Sequence, residues 1–346
     1  MALRLALIGC GKVTERFHVP AALACSAVRL EALVDPELRR AEALAAMTDG
    51  AAALPGVEGL AGRIDAAVVA APHHLHAELT CALLDQGIHV LVEKPMALDV
   101  ASCDRMIAAA ERHGATLAVG LVRRWYDASR WVKAAIEAGD LGPVLAVDAR
   151  EGVVFSWQVV SDATFRRAMG GGVLADIGVH VLDLLAWWLG EPGVVAYRDD
   201  AMGGVEAECE IELAFPGGAR GVVELSRTRT LRNSVVIRGE NATLRVGAGV
   251  DPELVLEHAG RERVLSAHAR ARGAEPVQRL ELLFEAQLRD LAAAVEGATA
   301  APFVTGTEGR RSIALLEACR AVRTPLELPW LRPTPPARDQ EAELPS

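Results

Sequence analysis

The sequence predicts two architectures in series: a doubly wound α/β domain on a parallel sheet, then an α+β domain on an open-faced, mostly antiparallel sheet. Three observations predict it. Over the first 120 residues, short β-rich runs alternate with helical stretches, as in βαβ units whose sheet is covered on both faces. The first run opens into Gly9-Cys10-Gly11, and the fourth closes on Glu93-Lys94-Pro95. From Val205 to Glu257, turn signals such as Phe215-Pro216-Gly217-Gly218 and Gly239-Glu240-Asn241 separate further runs, as in antiparallel hairpins.

Taken in order, strands are expected over residues 4–8, 30–34, 66–70, 89–92 and 116–119, with helices over 13–24, 37–47, 75–86 and 100–113. Such a sheet binds ligands beyond the carboxyl ends of its strands. After Gly120 come a helix over 127–137, a strand over 144–150, a polar excursion and a helix over 174–189. The hairpins follow, then helices over 278–296 and 307–323. The boundaries read as 1–121 for the first domain, 122–331 for the second and 332–346 for a loose, Pro-rich tail. If the open face of the second sheet is apolar, another subunit must cover it, which predicts a homodimer or homotetramer.

Gly9 and Gly11 match the first two glycines of G-x-G-x-x-G, one for the tight turn and one for the approach of a pyrophosphate; the third position is Thr14. The loop follows a strand, opens a helix through Lys12 and Val13, and is answered by Asp35 at the end of the second strand. This context makes it a Rossmann dinucleotide site. A carboxylate there holds the ribose diol and repels a 2′-phosphate, favouring NAD, while Arg39 and Arg40 supply what NADP would need. Ala71-Pro72-His73-His74-Leu75-His76 ends the third long strand beside the expected nicotinamide. Adjacent histidines at a strand end do not readily share one ion, and no carboxylate or cysteine completes a metal set.

Lys94 ends the fourth long strand, and Pro95 directs the chain along a defined extended path. An amine held beside a nicotinamide can stabilise developing alkoxide charge. After Gly170-Gly171-Gly172, the stretch 174–188 carries an apolar helical stripe, with Asp176, His180 and Asp183 on a different face. A histidine near neutral pKa is a natural acceptor for the proton of a hydroxyl being oxidised. A phosphate loop, a strand-end lysine and an Asp/His pair together point to hydride transfer on a hydroxylated substrate.

The bulk numbers agree. At 346 residues, 51% hydrophobic and 24% charged, the chain suits two globular domains. A net charge of −10 and no basic block exclude a nucleic-acid partner. The arginine clusters at 123–124, 261 and 263, 270 and 272, and 310–311 have apolar or acidic neighbours and read as solvated faces. Six scattered cysteines without C-x-x-C spacing suit a reducing cytoplasm. Leu7-Ile8-Gly9-Cys10 has the look of a lipoprotein cleavage box, but the apolar run before it falls short of the roughly 7–15 residues of a signal. No stretch reads as a membrane span of about 20 residues.

With Ile8-Gly9-Cys10-Gly11, the 71–76 stretch, Glu93-Lys94-Pro95 and Asp176/His180/Asp183 in place, the chain resembles the glucose-fructose oxidoreductase / inositol 2-dehydrogenase / rhizopine-catabolism (Gfo/Idh/MocA) family. Thr305-Gly306-Thr307-Glu308-Gly309 is a weaker echo. The resemblance implies NAD(P), a sugar or cyclitol substrate, and a C-terminal sheet often used for dimers or tetramers. It implies that Lys94, with Glu93 in its motif, meets nicotinamide and substrate, and that Asp176 and His180 fall on the substrate with His180 as acid/base. Arg124, followed by Trp125, aligns with an arginine the family places beside the substrate; Arg123, Trp157 and Arg166 are further candidates for recognising a charged or stackable group, as on an activated nucleotide sugar. Two rivals are carried: redox-assisted glycoside cleavage or epimerisation on a retained cofactor, and a sugar-responsive regulator without catalysis.

Overall fold

The computed structural model describes residues 2–250, 252–265 and 279–327. Its first sheet is wholly parallel. The strands are β1 (Leu3–Ile8), β2 (Val28–Val34), β3 (Ala52–Leu54), β4 (Ala66–Val69), β5 (His89–Glu93) and β6 (Leu117–Gly120), ordered β3-β2-β1-β4-β5-β6. The order reverses between β1 and β4, so the crevice lies beyond the ends of those two strands. Helices α1 (Val19–Ala24), α2 (Leu38–Ala45), α3 (His76–Leu84) and α4 (Val100–His113) connect the strands. Apart from the half-buried β3, each strand buries both sides. Leu5, Leu7, Val68, Leu91 and Ala118 enter one core, and Ala6, Ile8, Val69, Val90, Val92 and Val119 the other.

The second sheet, among the described residues, contains β7 (Val144–Gly152), β8 (Gly193–Asp199), β9 (Glu208–Ala214), β10 (Arg220–Ser226) and β11 (Ser234–Gly239). It continues through β12 (Thr243–Gly247), β13 (Leu254–His258), β14 (Arg261–Val264) and β15 (Arg323–Pro325), in the order β14-β13-β12-β11-β7-β10-β9-β8-β15. Pairing is antiparallel except β10 with β7 and β15 with β8. Strands β3, β8, β14 and β15 were not expected from sequence; β3 is only Ala52-Ala53-Leu54, which carries little strand signal. The expected tail after Trp330 lies outside the described residues.

On the inner side of this sheet, Tyr197, Ile211, Val223 and Ala149 sit side by side in register and are buried. They pack with α5 (Asp127–Glu137), α6 (Val179–Leu189) and α8 (Gly306–Ala321). The outer side corrects the expectation of an apolar face. Arg198, Glu210, Glu224 and Arg150 form one cross-strand row, and Glu212, Val222, Asp148, Val236 and Arg245 the next. Arg198 pairs with Glu210 and Glu212, Arg150 with Asp148 and Glu224, and Arg232 with Asp148. Opposite charges on neighbouring strands stabilise a solvated sheet face.

The core packing crosses the expected division at residue 121. Helix α7 (Leu280–Val295) sends Leu283, Phe284, Leu288 and Leu291 into the first domain's core. Helices α3 and α4 cover the opposite face, so the α1 side of β4, β5 and β6 has no local helix, and α7 supplies one. Residue 304 also reaches the first sheet: Val119 donates its backbone N–H to the Val304 carbonyl at 3.0 Å, which caps the β6 edge. The helical run Arg167–Leu189 is long and apolar enough to cross a membrane, unlike the sequence expectation, but 83% of its most apolar stretch is buried inside the fold. It is a core helix.

Candidate active site

The glycine loop is built by close approach. Gly9 has φ +94°, and a Cβ there would lie 2.7 Å from the Ala70 carbonyl oxygen, so only glycine lets β1 and β4 end side by side. Gly11 is open: a Cβ there would meet only a Val160 methyl, at 3.8 Å. Thr14 replaces the third glycine and is accommodated by a π turn, Thr14–His18; its hydroxyl donates to the Gly9 carbonyl at 2.5 Å. Asp35 is buried at the tip of β2, where its carboxylate accepts from the backbone N–H of Cys10 and of Glu37, both at 2.9 Å. Arg40 stands 3.8 Å from that carboxylate and Arg39 is exposed. Gly9, Gly11, Lys12, Val13, Asp35, Arg40, Ala71, Pro72 and His73 line one groove, roofed by residues 157–164 of the second domain.

These residues fit a dinucleotide. The loop leaves no room for a Cβ at Gly9, leaves Gly11 open, and places a carboxylate at the neighbouring strand end, as pyrophosphate and ribose binding require.

A cavity of about 450 Å³ continues from the groove, lined by Glu93, Lys94, Arg123, Asp176, His180 and Arg227, with His73, His76 and Trp157 on its walls. Two local devices bring the polar groups there. The tip of β5 presents Lys94, whose bond to Pro95 is cis. A second π turn, Leu174–Gly178, precedes α6 and carries Asp176, with His180 one turn later. The Lys94 ammonium donates to the Asp176 carboxylate and to its backbone carbonyl, each at 3.1 Å. Arg227, at the exit of β10, grips the other Asp176 oxygen. Burial pushes the Asp176 carboxyl up, but Lys94 and Arg227 outweigh it and hold it well below the usual carboxylate range.

His180 is buried, and burial, Lys94 and Arg123 push its imidazolium well below the ordinary histidine value. That direction favours the neutral imidazole, whereas the sequence suggested a group titrating near neutral pH. Burial likewise lowers His73, to about 3, and its Nδ1 faces the Gly170 carbonyl at 2.9 Å. His76 lies between the carbonyls of Ala71 and Pro95, tying the tips of β4 and β5 together. Glu93 accepts from His18 at 3.0 Å and from the Lys94 backbone N–H at 3.0 Å. Among the described residues, no group of three or more His, Cys, Asp or Glu is placed to hold a metal.

Other predicted residues lie elsewhere. Arg124, expected beside substrate, is an interior clamp: it donates to Asp183 at 2.7 and 2.9 Å, pairs with Glu308, and stacks on Trp187. Asp183 therefore parts from Asp176 and His180, facing Arg124 and Ser312. Trp125 packs against Phe303 and Arg130. Arg166 is exposed and pairs with Asp162. Arg123 and Arg124 are not the solvated cluster first expected; Arg123 lines the cavity and makes two 2.6 Å bonds to Glu151. Arg227, His18, Tyr126 and Phe155 went unread, because no local motif marks an arginine that leaves a hairpin strand toward a distant helix.

The fold and site define a nicotinamide-dinucleotide oxidoreductase with a strand-end lysine and a helical Asp/His pair. Residues 3–121 match the oxidoreductase family with an NAD-binding Rossmann fold, and residues 129–245 the GFO/IDH/MocA C-terminal domain. The chain belongs to the Gfo/Idh/MocA family. It is 30% identical over 288 residues to the dTDP-3,4-didehydro-2,6-dideoxy-alpha-D-glucose 3-reductase of Streptomyces violaceoruber, covering 79% of this chain and 83% of that one. The structure of the WlbA dehydrogenase from Bordetella pertussis, in complex with NADH and UDP-GlcNAcA, superposes with TM-score 0.78 at 25% identity over 93% of this chain and 96% of that one. The aldose-aldose oxidoreductase from Caulobacter crescentus shares the fold, with TM-score 0.81, 24% identity, and 93% and 97% coverage.

Proposed function

We propose that this chain is an NAD(P)-dependent oxidoreductase interconverting a secondary alcohol and a ketone on a sugar, cyclitol or sugar derivative. The observation that carries the reading is a buried, neutral His180 beside the Lys94–Asp176 pair, in a cavity continuous with a glycine-loop groove. When bound, the nicotinamide supplies a hydride acceptor or donor. In the oxidative direction, His180 takes the hydroxyl proton as the carbonyl forms. The Lys94 ammonium holds the reacting oxygen and stabilises its developing negative charge. Asp176 fixes Lys94 through its carboxylate, and Arg227 keeps Asp176 ionised. Asp35 favours NAD through the ribose diol, with Arg40 the group that NADP would use.

The test is NAD⁺ reduction against a panel of sugars and cyclitols, with Lys94→Met and His180→Ala as controls. Both variants should lower turnover by roughly 10² or more. Near-normal rates in both would make these residues structural and remove the proposal's centre. Substrate turnover without net NADH would instead favour the retained-cofactor alternative, and sugar binding without turnover a regulator. We place the protein in the cytoplasm, which suits six unpaired cysteines, five of them buried. We also propose a homodimer or homotetramer joined through the second sheet.

A further inference from the structure

Glu208 is a buried carboxylate that the proposed reaction leaves without a role. By strand alternation it belongs with Glu210 and Glu212 on the charged outer side of the second sheet. It is nevertheless only 1% exposed, because residues 226–229, at the exit of β10, fold over it. Ser226 lies opposite Glu208 in register and donates its hydroxyl to Oε1 at 2.5 Å, and the Thr228 hydroxyl donates to the same oxygen. Arg229 holds Oε2, at 3.0 Å from Nη2 and 3.1 Å from Nε. Taking a carboxylate out of water is costly unless donors meet it, and here two hydroxyls and a guanidinium do.

Arg227 sits in the middle of these contacts. The Ser226 hydroxyl oxygen also accepts from the backbone N–H of Thr228 at 3.1 Å and of Arg229 at 2.9 Å, which turns the chain directly after Arg227. The Arg227 N–H donates to the Ala207 carbonyl at 2.8 Å, and the Arg227 carbonyl accepts from Phe155 at 2.9 Å. With Ser226 facing outward, Arg227 faces inward, where it grips Asp176. Glu206 secures the other partner. Its carboxylate accepts from the Leu174 N–H at 3.0 Å and its carbonyl from the Val173 N–H at 2.9 Å, at the entry to the π turn that carries Asp176. Residues 206–208 therefore support both halves of the Asp176–Arg227 contact.

We propose that Glu208 is a positioning residue for Arg227: it fixes the turn from which Arg227 reaches Asp176 and, through Asp176, Lys94. The inference rests on the reading of the reaction cavity as the site of oxidation, but its first test needs no turnover. Phenylglyoxal labelling, followed by mass spectrometry with exposed Arg220 as internal reference, should modify Arg227 slowly in the wild type and roughly fivefold faster or more in Glu208→Ala. Glu208→Gln keeps an oxygen for the hydroxyls and loses the pair with Arg229. It should fall between the two, and it carries the test if the alanine variant does not fold. On a substrate that the wild type turns over, Glu208→Ala should lower kcat roughly tenfold or more, and should add no further loss once Arg227 is alanine. A merely structural role would lower the melting temperature and leave the kinetic loss the same in both backgrounds. Arg227 labelled at the wild-type rate in the folded Glu208 variants, or an undiminished kinetic loss in the Arg227→Ala background, overturns the proposal. Absence of redox turnover together with faster Arg227 labelling would sink the oxidoreductase reading and leave the positioning role standing.

Discussion

His180 and Asp176 show how burial and charge divide labour between two residues one helical turn apart. Asp176 stays ionised between two cations, and His180 stays neutral because burial and those cations oppose its protonation. Alcohol oxidation should therefore show no loss of kcat/KM as pH falls through 6.5, the usual histidine value, and decline only at markedly lower pH. A limb at pH 6.5 that disappears in His180→Ala would contradict the assigned charge state. Stability follows the same sign. His73 and His180 have folded values below their unfolded ones, so the unfolded chain binds more protons once pH drops under about 6.5. That contribution is present above this pH and is lost progressively toward the folded value, which for His73 is about 3. Thermal melts should fall between pH 7 and pH 5, and more gently in His73→Asn than in the wild type. Lys94, Asp176 and His180 were legible because each sits in a short motif with a defined strand-end or helical position. The burial of Arg124 and the arrival of Arg227 were not, since both depend on which distant elements meet.

Elements carry strain and clamping that single residues do not. Gly171 allows residues 170–172 to pass the loop beneath them; a Cβ there would lie 2.2 Å from the Thr164 carbonyl oxygen. Gly9→Ala and Gly171→Ala should both lower the melting temperature, and Gly9→Ala should also weaken NAD⁺ binding in a fluorescence titration. Arg124 joins the segment after β6 to α6 and α8. Arg124→Met leaves Asp183 buried without its cation and should cost about 3–5 kcal/mol in denaturant unfolding. Phe284→Ala removes a ring stacked on Phe17 at 4.9 Å and set edge-on to His18 at 4.8 Å, for about 3–5 kcal/mol. The five longer strands of the parallel sheet were readable because an apolar run buried on both sides looks alike in any context. Strand β8 was missed, with exposed Val195 beside buried Tyr197, because its role depends on β9 and β15.

For the whole molecule, the charged outer face changes what association would look like. A dimer formed across Arg150, Arg198, Glu210 and Glu224 would exploit exchangeable ion pairs, not a sealed apolar layer. Light scattering at micromolar protein should report a dimer or tetramer at 0.1 M salt and a shift toward monomer near 1 M, where screening shortens to about 3 Å. Monomer at both concentrations would remove the sheet as an interface.

The packing of α7 also sets a timetable. The chain leaves the ribosome from its first residue, yet the α1-side core takes in Leu283, Phe284, Leu288 and Leu291 of α7. At about 5–20 residues per second, the 159 positions from 121 to 280 take about 8–30 s to synthesise. For that interval the nascent first domain shows apolar surface to its surroundings and is a client for holding chaperones. A fragment ending at residue 121 should bind hydrophobic dyes and aggregate, whereas stalled chains long enough to expose α7 should resist protease across the same region.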